Sequence, residues 1–166
     1  MLVFAQQEAQ VGRQSYIGTE HVLIGLMRDN TGLAGAALRA LGLGLDEVRR
    51  TVGRLRESEP DLPVRQMIPT SAVKEVIERA FHQAQSEKSS RVDTGHLLIG
   101  LLQEDPGIGV RVLREHGLPV ERVGLEVTRL RSSGMIETGG VDLSRTVRLR
   151  HLDLVDEKGG ENASKS

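Results

Sequence analysis

Ile17-Gly18-Thr19-Glu20-His21-Val22-Leu23-Ile24-Gly25-Leu26 returns as Val92-Asp93-Thr94-Gly95-His96-Leu97-Leu98-Ile99-Gly100-Leu101, 75 positions later. The same shift runs without a gap from the pair Ala5/Ala80 to the pair Leu55/Leu130, and 19 of those 51 pairs are identical. Unrelated segments would share about three or four at ordinary residue frequencies. The chain therefore contains a duplicated unit, and the unit has to be read before the whole.

Each unit reads as four short helices. In the first copy, helix one covers about Leu2 to Gly12. Its counterpart face in the second copy, Val73, Val76, Ile77, Ala80 and Ala84, has the i, i+3, i+4, i+7 spacing of an amphipathic helix. Thr70 and Ser71 are natural N-caps there, because a hydroxyl can accept from free backbone N–H groups. Helix two opens at Thr19 or Thr94 and runs to about Asp29 or Glu104. Helix three starts after Gly32 or Gly107 and ends at Gly42 or Gly117, glycines suited to a left-handed helix end. Helix four begins near Asp46 or Glu121 and carries Val48, Val52, Leu55 or Val123, Val127, Leu130 on one face. Four such helices bury little surface alone; two copies packed pseudosymmetrically bury much more. The expected fold is all-α: repeat one over 1–57, a Pro-containing linker over 58–68, repeat two over 69–132, and a tail over 133–166. Within the tail, Val141 to Asp156 alternates weakly and reads as a short strand or docked segment. The end, Lys158 to Ser166, has the composition of a disordered segment.

The bulk composition narrows the function classes. The 166 residues carry 22 basic and 23 acidic side chains, a net charge of −1, so no overall field draws the chain onto nucleic acid. Cysteine is absent, which excludes disulfides and thiolate metal sites and fits a cytosolic location. No apolar run approaches the roughly 20 residues of a membrane helix. The aromatics are Phe4, Phe81 and Tyr16 alone, too few for the stacking platforms that bind single strands. No G-x-S-x-G elbow, paired-carboxylate site or G-x-x-x-x-G-K-[ST] phosphate loop occurs. No catalytic residue, metal ligand or cofactor is expected.

The motif Glu8-Ala9 … Tyr16-Ile17-Gly18-Thr19-Glu20-His21-Val22-Leu23-Ile24-Gly25-Leu26, followed by Leu38-Arg39-Ala40-Leu41-Gly42, resembles the Clp N-terminal repeat, in the version found in ClpC-type AAA+ unfoldases. The resemblance covers roughly residues 1 to 132. It implies a non-enzymatic domain of two four-helix repeats that receives substrates or adaptors for, or regulates, a Clp ATP-dependent protease. The tail after Ser132 favours a stand-alone relative. Three departures from the family pattern stand out. The first helix begins about ten residues late, as a truncated helix or an internal start would. Gly95 replaces the glutamate that the second motif usually carries. Ile68-Pro69-Thr70-Ser71 lacks the aromatic that commonly precedes the second repeat. In some relatives the two motif glutamates line pockets for phosphorylated arginine; by that resemblance Glu20 would serve here, and the second pocket would be lost or weak.

The expected binding residues are Glu20, Thr19, Asp29, Asn30 and Thr94, at the repeat–repeat interface near the loop Asp29 to Gly32. The expected partners are Clp unfoldase or protease subunits, adaptors, or substrate proteins, some with phosphorylated arginine. Glu20 also has a structural reading, as an acid at the positive end of a helix. His21 and His96 read as structural histidines at helix starts, since no second ligand follows at metal spacing. Gly25 and Gly100 read as sites of close helix contact. The alternative function is a ligand- or nucleic-acid-binding regulator using Arg49, Arg50, Arg54, Arg56, the arginines of the second copy and Arg145, Arg148 and Arg150 of the tail. That reading is disfavoured by the missing aromatics.

Overall fold

A computed structural model describes residues 2–56, 68–104, 107–135 and 141–142. The elements run α1 (Leu2–Val11), β1 (Tyr16–Ile17), α2 (Thr19–Arg28), α3 (Leu33–Ala40), α4 (Leu45–Arg56), β2 (Ile68–Pro69), α5 (Ser71–Ser86), β3 (Arg91–Val92), α6 (Thr94–Leu102), α7 (Ile108–Glu115), α8 (Val120–Ser132) and β4 (Val141–Asp142). The starts of β1, α2, α3 and α4 recur 75 positions on as β3, α6, α7 and α8. The duplication read from the sequence is thus a duplication of structure.

Local chemistry explains the boundaries. Thr70 caps α5 by accepting the Val73 N–H at 3.3 Å. Gly42 and Gly117 end α3 and α7 with φ of +83° and +70°, a conformation that costs an L-residue about 1–2 kcal/mol. Helix α4 begins with Asp46 and Glu47 and ends with Arg54 and Arg56; α8 begins with Glu121 and ends with Arg129 and Arg131. Both place charge to complement the helix dipole.

The repeats interlock. Helix α3 packs on α6 and α8, while α2 and α4 pack on α7, so each repeat lays its third helix on the other's fourth. The main apolar cluster runs from Ala5 in α1 to Val127 in α8, including Leu23, Leu26, Leu33, Leu38, Leu98, Leu101 and Leu113, and a smaller one gathers Ala80, Ala84 and Val92. At Gly100 an added Cβ would lie 2.6 Å from the Val76 carbonyl oxygen. The expected close contact of α6 with α5 is therefore real, and only glycine permits it.

Short strands fasten the ends. β1 pairs in parallel with β2, Tyr16 opposite Ile68 and Ile17 opposite Pro69, and the Thr70 N–H donates to the Ile17 carbonyl at 3.0 Å. Ile68, assigned to the linker by its sequence, is thus bonded to the first repeat. β3 pairs antiparallel with β4, which places a strand at the start of the expected Val141 to Asp156 segment. The rest of that segment, the linker from 58 to 67 and the tail from 143 to 166 lie outside the described residues. Among the described residues no helix is long and apolar enough to cross a membrane.

Candidate functional site

Helices α2 and α6 start at the seam between the repeats, and their first residues hold it shut. Thr19, the first residue of α2, accepts the Gly109 N–H of α7 at 3.1 Å. Thr94, the first residue of α6, accepts the Ala34 N–H of α3 at 3.0 Å. Each threonine thus satisfies one of the free N–H groups at a helix start in the other repeat. Both are buried, 5% and 4% exposed. Gly32 and Gly107 make room for them: a Cβ at Gly32 would lie 2.7 Å from Thr94 Oγ1, and one at Gly107 3.2 Å from Thr19 Oγ1.

The loop beside this seam is open. Asp29 accepts from the Thr31 N–H at 3.1 Å and from the Thr31 hydroxyl at 2.8 Å, a side-chain turn that sets the loop's shape. Asn30 and Thr31 are exposed. Of the five expected binding residues, Asp29 and Asn30 are therefore at the surface. Thr19, Glu20 and Thr94 lie beneath it.

Glu20 is 2% exposed. Its carboxylate forms an ion pair with Arg56 of α4, Oε1 to Nη1 at 2.9 Å. Arg56 also donates to the Tyr16 hydroxyl, stands over the Tyr16 ring, and meets His21 Nε2 at 3.0 Å. His21 Nδ1 accepts the Gly18 N–H at 2.9 Å, so the ring ties the start of α2 to itself. Burial first, and the Arg56 guanidinium second, push the His21 imidazole from 6.5 to about 4.

The second repeat builds the same device from different residues. His96 Nδ1 accepts the Asp93 N–H at 3.0 Å, while Asp93 Oδ1 accepts the His96 N–H at 3.0 Å. This reciprocal cap is complete, unlike that of the first repeat, where Gly18 has no side chain. Arg131, 75 positions after Arg56, donates to Asp93 at 2.7 and 2.9 Å and to Glu87. His96 Nε2 lies 3.0 Å from Glu87, where the first repeat has Gly12. Burial alone would raise the Asp93 carboxyl, but hydrogen bonds from His96 and the Arg131 charge hold it below the usual carboxylate range.

Gly18-Thr19-Glu20 and Asp93-Thr94-Gly95 thus exchange the places of glycine and acid around one threonine. Each helix-start tripeptide has room for one acid. A Cβ at Gly18 would lie 2.4 Å from Glu20 Oε2, and one at Gly95 2.7 Å from Arg131 Nη2 and 2.8 Å from Leu33 Cδ2. The missing glutamate of the second motif is offset by Asp93. Sequence reasoning overlooked Arg56, Arg131 and Asp93 in these roles. The signals were present: the 75-residue shift pairs Arg56 with Arg131, and the two tripeptides mirror one another.

The histidines hold helix starts, as expected, and no cluster of three or more His, Asp or Glu suited to a metal occurs among the described residues. Among the described arginines considered for nucleic acid, Arg49 is tied to Glu8, Arg54 to Glu115 and Arg129 to Glu126, while Arg145, Arg148 and Arg150 lie outside the described residues.

A family model for the Clp repeat (R) N-terminal domain matches residues 1–116 and again 68–152. This chain belongs to that family. The Clp N-domain described here is 37% identical over 143 residues to the negative regulator of genetic competence ClpC/MecB of Bacillus subtilis, covering 84% of the chain and 17% of the relative. It spans, then, about a sixth of that protein's length. Among solved structures it resembles the N-terminal domain of the chaperone ClpD from Arabidopsis thaliana, with TM-score 0.62 and 25% identity, over 78% of this chain and 91% of that one. It also has the fold of the ClpV N-domain in its complex with a VipB peptide, with TM-score 0.62 and 16% identity, over 82% and 85% of the two chains.

Proposed function

We propose that this Clp N-domain is a protein-binding module that brings substrate proteins or adaptors to a cytoplasmic Clp unfoldase or protease, or regulates that machine. The observation that carries the reading is the family match over both repeats, in a chain whose seam leaves a shaped polar loop exposed. The peptide held by the ClpV N-domain supports it as a use to which this fold is put.

Within this reading the receiving face is the seam. Asp29 and Asn30 make the outer contacts, and Thr19, Glu20 and Thr94 fix the helix ends beneath them. A substrate guanidinium, phosphorylated or not, reaches the Glu20 carboxylate only by displacing Arg56 from its 2.9 Å ion pair. Any arginine-phosphate recognition at Glu20 is therefore a competition with an internal arginine.

The test is affinity capture with the intact chain as bait and mass spectrometry of what it retains. Enrichment of Clp ATPase or protease subunits, or of their adaptors, is the expected result. Recovery of neither refutes the proposal.

A further inference from the structure

We infer that the groove between α1, α2 and α4 of the first repeat binds an extended peptide carrying an aliphatic side chain beside a carboxylate. This deepens the protein-binding reading and rests on it. The groove has a volume of about 610 Å³, within the range of roughly 300–1,000 Å³ of ligand pockets. Ile24 and Val52 form its aliphatic floor, 3% and 7% exposed, Val11 stands at its rim, 81% exposed, and Gln14, His21 and Arg56 add polar lining. An aliphatic side chain laid against Val11 would cover apolar surface that water now meets.

The charge beside that floor is unbalanced. Glu8 projects from α1 and takes two guanidinium groups on one carboxylate. Arg49 of α4 donates at 2.6 and 3.2 Å, and Arg28 of α2 donates at 3.0 Å. Two positive charges meet one negative charge, leaving a surplus of one. Asp46 lies 3.9 Å from Arg49 but is 90% exposed, so solvent screens most of its effect. Arg49 itself is 41% exposed and can turn its remaining donors to an incoming carboxylate, which suits the guanidinium fork.

The second repeat lacks this arrangement. Gln83, Gln103 and Gly124 stand where Glu8, Arg28 and Arg49 stand in the first. The helices are the same and the charge is gone, so the cationic groove is a feature of the first repeat and not of the fold.

The test is fluorescence anisotropy with the intact chain and two labelled hexapeptides, one alternating leucine and aspartate, the other leucine and lysine. The leucine–aspartate peptide binds, more weakly as salt rises, and the leucine–lysine peptide does not. Arg49→Gln removes the surplus charge and leaves Glu8 paired with Arg28; it weakens binding about fivefold, as a half-exposed pair allows. Glu8→Gln frees two guanidinium groups and strengthens binding by a similar factor. A merely structural Glu8–Arg49 pair would give losses in both variants, which overturns the inference. So does equal binding of the two peptides, or binding of neither. Self-association that Arg49→Gln abolishes would make a second copy the occupant and also overturn it. If Clp subunits or adaptors are still captured while the acidic peptide fails, only this inference falls; if neither binds, the protein-binding reading falls with it.

Discussion

Gly95→Glu restores the glutamate that the family resemblance leads one to expect, and the structure says it destabilises the protein. An added Cβ would sit 2.7 Å from Arg131 Nη2, 2.8 Å from Leu33 Cδ2 and 3.0 Å from Asp93 Oδ1. Arg131 can shift, but Leu33 is 1% exposed and packed in the apolar cluster, so it gives way less readily. Overpacking of this kind costs about 1–3 kcal/mol, and the new carboxylate would crowd Asp93 on one guanidinium. Asp93→Gly alone removes the acceptor of the His96 N–H and two hydrogen bonds to Arg131, a loss of about 1–3 kcal/mol. The double variant Asp93→Gly/Gly95→Glu recreates the first repeat's order, glycine then acid. It is expected to be more stable than the sum of the single changes by about 1–3 kcal/mol. Urea unfolding followed by circular dichroism, at matched slope, gives all four corners of the cycle. Additivity within about 0.5 kcal/mol, or an unharmed Gly95→Glu, would refute the claim that each helix-start tripeptide has room for one acid.

The other predictions concern the same seam. Arg56→Met leaves Glu20 buried without its counter-charge and should cost about 3–5 kcal/mol in urea unfolding; Arg56→Lys should recover only part, since one ammonium cannot replace a planar fork. His21 titrates near 4 in the folded state against 6.5 ordinarily, so the unfolded chain binds the extra proton. Stability from this group is complete above about pH 6.5 and falls as pH drops toward 4, by at most about 3 kcal/mol; His21→Asn should flatten that stretch of a stability–pH curve. Thr19→Val and Thr94→Val each strand one buried N–H across the seam and should cost about 1–3 kcal/mol apiece by thermal or urea unfolding. Equal costs are expected because the two contacts are pseudosymmetric equivalents.

The helices and the duplication were legible in the sequence for a physical reason. Helix periodicity, capping threonines and left-handed glycines are local properties, and a repeat presents them twice. Gly42 and Gly117 could be assigned their conformation because a helix end imposes it within a few residues. The charged seam was harder to read. Arg56 and Glu20 lie far apart along the chain, and an arginine near a helix C-terminus looks like ordinary dipole compensation. Position alone could not distinguish a solvated Arg50 from a buried Arg56. The choice depends on which face of α4 meets α2, and that is settled by tertiary packing. Glu20 was legible as a helix-start acid, but its burial was not. The strand pairing of Ile68 was hidden because two residues give no alternation to detect.

An internal duplication also separates what the fold requires from what one copy has made of it. Positions kept in both copies do the same structural work twice: Thr19 and Thr94 cap across the seam, His21 and His96 tie down helix starts, and Arg56 and Arg131 neutralise the nearby acids. Where a structural task is met by unlike residues, as with Glu20 and Asp93, the swap is reciprocal and the geometry survives. The outer grooves show no such compensation. Arg49 in the first repeat becomes Gly124 in the second, and the recess there is lined by Ile99, Leu102, Val120 and Leu125 with Gln103, Glu121 and Thr128 at their side, Leu125 being 71% exposed. The first groove, between α1, α2 and α4, is charged; the second recess, between α6 and α8, is more apolar. Neither difference involves the threonine contacts that close the seam, so the question each groove poses is what it meets. The acidic peptide test on the first repeat asks that question at the position where the two copies differ most in charge.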